Sequence, residues 1–186
     1  MKIKDIVQNY KNNKVWITKK ARMNAEARCL ANNNKAIIFL NFYSALLIII
    51  SILSIVYNSE IQSLISLFLS IAIMGVSVII ASMDFKEQAI QYKRSYLELM
   101  KIEEELDDLE NCLDQYNDEQ SSKLFMKIKN DYIKILESTP NHKEIDYQKV
   151  KRRKESNTSW PILSNYIYNL LYIFILIFPI VLLIYF

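Results

Sequence analysis

Residues 36–83 read AIIFLNFYSALLIIISILSIVYNSEIQSLISLFLSIAIMGVSVIIASM, and this stretch decides the fold. Its only charged residue is Glu60, near the midpoint. A helix rises 1.5 Å per residue, so roughly 20 apolar residues cross a hydrocarbon core of about 30 Å. Residues 36–57 and 61–83 each reach that length. The sequence predicts a transmembrane hairpin with its turn at residues 58–60, since a 186-residue chain cannot easily bury two such helices in a soluble core.

A third apolar stretch, residues 160–186, closes the sequence and contains no charged residue. It is long enough to span a bilayer with some tilt. Pro161 stands at its start, where a missing amide costs little, and Pro179 near its end favours a kink or an exit from the bilayer. The sequence therefore predicts a third, C-terminal transmembrane helix.

Lysine and arginine are placed unevenly along the chain. Residues 1–35 carry nine of them, the predicted turn carries none, and a second cluster at residues 149–154 precedes the third apolar stretch. Cytoplasmic flanks retain positive charge, so we expect the N-terminus and residues 84–159 to be cytoplasmic and the C-terminus to lie outside. Short basic runs beside a span are typical of orientation signals and anionic-lipid contacts. No direct nucleic-acid contact is expected.

The region between the second and third apolar stretches has helical periodicity. Apolar residues recur at steps of three and four from Phe85 to Tyr116, which predicts one long amphipathic helix continuing out of the second span. One extra three-residue step, from Leu99 to Ile102, is typical of a stammer. A shorter stripe from Leu124 to Leu136 ends before Pro140. We expect these two helices to pack antiparallel.

These observations divide the chain into four segments. They are a basic cytoplasmic N-terminal helix (1–35), the two-helix transmembrane hairpin (36–83), a cytoplasmic helical, coiled-coil-like region (84–159) and the C-terminal transmembrane helix (160–186). The predicted fold class is an all-α membrane protein.

Acidic residues crowd the middle of the predicted long helix, at Glu103, Glu104, Glu105, Asp107, Asp108 and Glu110. Such a block offers the oxygen ligands that divalent cations prefer. Consecutive helical residues point around the axis, however, which favours a solvated face or ion pairs. If the block forms ion pairs, basic residues such as Lys127, Lys129 and Lys134 are the expected partners.

The sequence contains no recognisable catalytic constellation. Gly75 is the only glycine and lies inside a predicted span, so there is no phosphate-binding loop. His142 is the only histidine, and the two cysteines, Cys29 and Cys112, have no metal-site or disulfide spacing. We expect no enzyme activity, no cofactor and no bound metal.

The predicted spans carry small polar residues at helical spacing. They are Asn41, Ser44, Ser51 and Asn58 in the first span, with Ser54 nearby, and Ser63, Ser66, Ser70 and Ser77 in the second. One interpretation is close helix packing, because small residues let backbones approach. The other is a water-filled pathway formed by several copies, because polar groups are tolerated in hydrocarbon where they face protein or water.

Two stretches of the sequence carry a family resemblance. The first runs from Val15 to Met23 and continues with Ala27, Arg28, Leu30, Asn41, Tyr43, Ser44 and Ser51; within it stand Trp16, Thr18 and Arg22. The second comprises Tyr132, Leu136, Pro140, Asn141, His142, Asp146 and Tyr147. Together they resemble the SLATT family of bacterial two-transmembrane effectors, and the chain resembles the subgroup with an added C-terminal helix.

The resemblance implies a membrane effector of antiphage conflict systems. Such proteins are proposed to oligomerise into pores that depolarise or permeabilise the bacterial inner membrane when a neighbouring sensor is triggered. The implied sensor is a nucleotide second-messenger synthase or its receptor, and the subgroup is similar to members encoded beside reverse transcriptases. The implied partners are therefore the membrane, further copies of the chain and such a sensor.

Several alternatives remain open from the sequence. Trp16 and its neighbouring lysines fit either an interfacial helix or a helix packed on the cytoplasmic region. Asn141 and His142 fit either a turn that caps a helix or a pH sensor. A membrane-anchored coiled-coil scaffold that recruits a partner without conducting explains the acidic helix equally well. A small transporter is the weaker alternative, since the spans lack internal charges and repeats.

Overall fold

The computed structural model describes residues 3–154, and these are almost entirely helical, with no strand among them. The main helices, in chain order, are α1 (Ile3–Tyr10), α2 (Trp16–Val56), α3 (Glu60–Ser82), α4 (Phe85–Cys112), α5 (Asp118–Glu137) and α6 (Glu144–Lys154). A π-helical turn, Lys11–Val15, joins α1 to α2, and a 3₁₀ turn, Leu113–Gln115, follows α4. The predicted third span, residues 160–186, lies outside the described residues.

The described chain forms two compact units. We call residues 3–30 and 85–154 the head unit and residues 31–84 the hairpin unit. The sequence predicts residues 1–35 as a separate segment. In the structure, residues 3–30 belong to the same unit as the helices that follow the hairpin.

The hairpin turn is defined by capping interactions. Asn58 adopts a left-handed conformation with φ of 49°, and the Ser59 amide donates to the Ser54 carbonyl at 3.0 Å. This 6→1 bond is the Schellman pattern that ends a helix. The Ser59 hydroxyl then accepts from the Gln62 amide at 3.4 Å and caps α3. The predicted turn is confirmed, with Glu60 as the first residue of α3, where its negative charge suits the helix dipole.

The head unit is built on the antiparallel pair of α4 and α5. Asn117 and Gln120 form a reciprocal capping box that starts α5. The apolar faces of the two helices meet in a core of buried residues: Leu99, Ile102, Leu106, Leu109, Phe125, Ile128 and Tyr132. The predicted antiparallel packing of two amphipathic helices is confirmed.

The N-terminal segment completes this core. Val7 and Val15 are fully buried in it, and the Tyr10 ring meets the rings of Phe125 and Tyr132 edge-on at 5.4 and 5.6 Å. Edge-to-face rings at this separation are a favourable arrangement. The sequence leaves open whether the basic N-terminal region, with Trp16 and its neighbouring lysines, lies at the membrane interface or packs on the helices that follow the hairpin. The structure favours packing on those helices.

The second predicted span does not continue as one helix into the head. Asp84 has φ of 45°, and it separates the last residue of α3, Ser82, from the first residue of α4, Phe85. Aspartate tolerates the left-handed region better than most residues with a Cβ atom. The expectation of a continuous helix is therefore wrong at this position. The periodic stripe that begins at Phe85 is confirmed as far as Leu109, whereas α4 ends at Cys112 and Tyr116, its predicted last member, is exposed.

Candidate functional site

Most serines of the hairpin stripes bond to their own helix. Ser51 donates to the Leu47 carbonyl at 2.9 Å, and Ser66, Ser70 and Ser77 each donate to the carbonyl three residues earlier at 2.7–2.8 Å. In a bilayer every polar group needs a partner, and such bonds provide one within the same helix. The hydroxyl oxygen keeps acceptor capacity for water or for another chain.

Near the turn, polar residues of the stripes lie between α2 and α3 and hold the two helices together. Ser63 of α3 donates to the hydroxyl oxygen of Ser54 of α2 at 3.3 Å, and Ser54 is buried. Asn58 lies beyond the end of α2, in the turn itself. At this end of the hairpin the structure supports the interpretation of the stripe as a helix–helix contact.

Farther from the turn the stripes are open. Asn41 and Ser44 are exposed, and Ser51, Ser66, Ser70 and Ser77 are partly exposed. No residue of α3 is buried, and large apolar side chains such as Phe68 are exposed as well. A single hairpin therefore leaves both its polar stripe and its apolar surface uncovered.

The head unit contains a buried ion pair between Arg28 and Asp146. The guanidinium Nε donates to Oδ1 at 3.0 Å and Nη2 donates to Oδ2 at 2.9 Å, a bidentate geometry. Asp146 is fully buried, and its Oδ2 also accepts from the Lys143 amide at 3.1 Å. The Asn24 side chain donates to the Asp146 carbonyl at 3.1 Å. We call Asn24, Arg28, Asp146 and the Lys143 amide the Asp146 site.

This site joins distant parts of the chain. Asn24 and Arg28 stand one turn apart on α2, so both face α6. Asp146 lies in the first turn of α6, where its carboxylate caps the amide of Lys143, the residue before the helix. The hydrogen bond to Asp146 raises the pKa of Arg28 further. The geometry fixes α6 against α2.

Arg22 is a buried cation beside this site. It is 1% exposed, its Nη1 donates to the Ile135 carbonyl at 3.3 Å, and its Nε has no hydrogen-bond partner among residues 3–154. Burial lowers the pKa of Arg22, whereas the oxygens of Tyr132 and Tyr92 oppose that change. The Tyr92 hydroxyl in turn donates to the Asn141 carbonyl at 3.0 Å and so holds the segment that precedes α6.

His142 lies half-buried in the same segment, with its ring stacked 6.3 Å from that of Tyr147. Burial lowers the pKa of His142, and the positive charge of Arg22 lowers it further, against the opposing effect of Asp146 and Glu144. A histidine whose pKa is lower in the folded state than in the unfolded state lowers the free energy of unfolding at low pH, because the unfolded state then binds the proton more tightly.

We therefore expect acid to weaken the head. The folded state binds fewer protons than the unfolded state, so stability falls as pH drops from the unfolded value of about 6.5 through the lower folded pKa, and it is unaffected by His142 above that range. The urea midpoint of the full chain in nanodiscs, followed from about pH 8 to about pH 5, should fall less in His142→Gln. Identical pH profiles would show that His142 contributes nothing to the dependence.

The two stretches that resembled the SLATT family therefore largely converge. Arg22 and Arg28 from the first stretch lie with Asn141, His142, Asp146 and Tyr147 from the second. Thr18 shares a hydrogen bond of 3.0 Å with Tyr132, and Lys20 lies over the Trp16 ring. Tyr43 belongs to the hairpin unit and packs on the Phe39 and Phe42 rings.

Two members of this arrangement were missed from the sequence. Asn24 had a usable signal, since it stands four residues before Arg28 on the same helix face. Tyr92 had none, because it belongs to the apolar stripe of α4 and its hydroxyl contact is made with a residue 49 positions away.

The acidic block of α4 pairs with the N-terminal segment. Lys11 bonds to Asp107 and, at 2.8 Å, to Glu110, while Lys19 bonds to Glu103. The expected partners Lys127, Lys129 and Lys134 make none of the ion pairs to this block among the described residues, and Lys134 instead pairs with Asp131. The choice of lysines was wrong because periodicity alone cannot place the N-terminal helix against α4.

Among residues 3–154, no three histidine, cysteine or acidic side chains are placed so that they could hold a metal ion together. Both cysteines are free; Cys29 is buried, and that burial raises the pKa of its thiol.

Two of the described helical stretches are long and apolar enough to cross a membrane, and they are the two arms of the hairpin. The fold is thus that of an all-α membrane protein, in which a transmembrane hairpin is inserted between the two parts of a helical head. The sequence profile of SMODS and SLOG-associating 2TM effector domain family 5 matches residues 5–186, and the chain belongs to this SLATT family. Comparison with curated proteins and with solved structures gave no match.

Proposed function

We propose that the chain is a pore-forming effector of a bacterial antiphage system, which oligomerises to permeabilise or depolarise the inner membrane when a partner sensor is triggered. The family is named for two-transmembrane effectors, which supports the effector role. The observation that best supports the pore is the exposed surface of the hairpin. Its two helices carry a polar stripe, and few of their residues are buried within a single chain.

In this proposal several hairpins cluster and turn their stripes toward a shared axis. One hairpin has only two helices and cannot enclose water, so assembly acts as the gate. Asn41, Ser44 and Ser51 on α2, with Ser66, Ser70 and Ser77 on α3, line the pathway, while Ser54 and Ser63 hold each hairpin together near its turn. The N-terminus and head are cytoplasmic, where a sensor such as a nucleotide-messenger synthase or a reverse transcriptase reaches them.

A non-conducting scaffold is the second candidate. It is favoured by the bonds of Ser51, Ser66, Ser70 and Ser77 to their own helices, because a hydroxyl satisfied in this way also tolerates lipid. A scaffold would use the head to recruit its partner to the membrane.

Membrane potential and dye entry in bacteria distinguish the two. The full chain is induced alone, then together with its neighbouring genes under phage challenge. A pore-forming effector collapses the potential in at least the second condition, before lysis. Preserved potential in both conditions, with the chain present in the membrane, would reject the pore and leave the scaffold.

A further inference from the structure

The long head helix α4 carries two lengthwise stripes. The first is the buried one that packs in the head. The second lies on the outer side and consists of Lys86, Ile90, Lys93, Leu97, Met100 and Glu104. These six residues alternate steps of four and three, the spacing of a coiled-coil seam, and every one of them is exposed. We call this set the outer seam.

The apolar centre of the outer seam is unusually open. Ile90, Leu97 and Met100 are 44%, 45% and 41% exposed, on the side of α4 opposite its buried stripe. A seam of this kind with no cover is typical of a surface that meets another helix.

The charges of the outer seam are also unpartnered. Within residues 3–154 the acidic block forms its ion pairs through Glu103, Asp107 and Glu110, which point to the N-terminal segment. Lys93 and Glu104, on the outer side, take part in none of the described ion pairs. The basic residue stands toward the start of α4 and the acidic one toward its end.

We propose that the outer seam binds the outer seam of a second copy of this chain, with the two α4 helices antiparallel. A parallel pair would bring Lys93 to Lys93 and Glu104 to Glu104, which repel. An antiparallel pair centred between Leu97 and Met100 brings Lys93 of each copy to Glu104 of the other, and these four residues form the contact, while Lys86 and Ile90 extend beyond it. The contact is self-complementary about a two-fold axis, as in most homodimers. The inference rests on the proposed assembly of copies, but not on conduction.

Cysteine cross-linking of the full chain in native membranes tests the orientation. The background is Cys29→Ala with Cys112→Ser, and two differently tagged chains carry Lys93→Cys and Glu104→Cys. A short thiol cross-linker should join the Lys93→Cys chain to the Glu104→Cys chain, which gives a product that carries both tags. It should not join two Lys93→Cys chains, because in the antiparallel pair the two Lys93 positions stand about 16 Å apart along the axis. Lys123→Cys on α5, also exposed, is the control that should give no product.

Charge reversal tests the pairing independently. Lys93→Glu alone should lower the yield between Leu97→Cys and Met100→Cys chains roughly fivefold, since each dimer contains two such pairs of modest strength. Adding Glu104→Lys in the same chain should restore it. Lys127→Glu, the same charge change at an exposed position of α5, should have no effect.

The outcomes separate this inference from the proposed function. Cross-links only between chains that carry the same cysteine would establish a parallel pair and overturn the inference. The absence of any cross-linked product would also overturn it, and so would a double charge reversal that does not restore the yield. Depolarisation without cross-links would reject the outer seam and keep the pore. Cross-links without depolarisation under phage challenge would keep the seam and reject the pore.

Discussion

Asp146→Ala should open the head at the Asp146 site. Removing the carboxylate leaves Arg28 without its bidentate partner and the Lys143 amide without an acceptor. Breaking one side of a fully buried ion pair costs about 3–5 kcal/mol, and because the Arg28 side chain keeps 16% of its surface exposed we expect the lower end, about 3 kcal/mol. Amide hydrogen exchange of α6 in the full chain should therefore accelerate at least about a hundredfold.

Matched variants identify the cause. Asp146→Asn keeps the shape and one acceptor, so its effect should be smaller. Lys123→Ala breaks the exposed pair with Glu119, whose side chains are both 76% exposed, and should change exchange by less than about threefold. Exchange in α6 that is unchanged by Asp146→Ala would mean that the ion pair does not hold α6 to α2.

The second large effect concerns the hairpin. Replacing Asn41, Ser44 and Ser51 together with leucine should abolish depolarisation at equal membrane abundance. Leucine fills the stripe with apolar volume, and an apolar constriction excludes water and ions. The hairpin itself should persist, since its turn and its Ser54–Ser63 contact are untouched.

A control of equal size uses the same helix. Ile38, Ile49 and Val56 are exposed apolar residues of α2 that lie off the line of Asn41, Ser44 and Ser51, and their triple leucine variant should depolarise as the native chain does. Depolarisation that survives the polar-to-leucine variant would reject a pathway lined by α2. Loss in both triple variants would point to disturbed packing of the helix instead of a changed lining.

The hairpin and the α4–α5 pair could be predicted from the sequence because their signals are local. A long run of residues with few charges, and apolar residues that recur every three or four positions, can both be recognised from residues that are close together in the sequence. The turn at Asn58 and Ser59 was placed correctly for the same reason, since both residue types favour the required caps.

The contacts that organise the head are not local. Arg28 and Asp146 are 118 residues apart, and Lys11 and Glu110 are 99 apart. With 23 basic and 20 acidic residues in the chain, no short-range signal selects these pairs. The family resemblance marked Arg28 and Asp146 without joining them, and the break at Asp84 was missed because the apolar period continues on both sides of it.

Ion flux from vesicles that contain the purified full chain tests the central claim most directly. A pore assembled from hairpins predicts flux that rises more steeply than in proportion to the protein-to-lipid ratio and is absent from the Asn41, Ser44 and Ser51 leucine variant at every ratio. Flux that stays at the level of empty vesicles across the whole range, in vesicles where cross-linking shows assemblies of more than two chains, would contradict it.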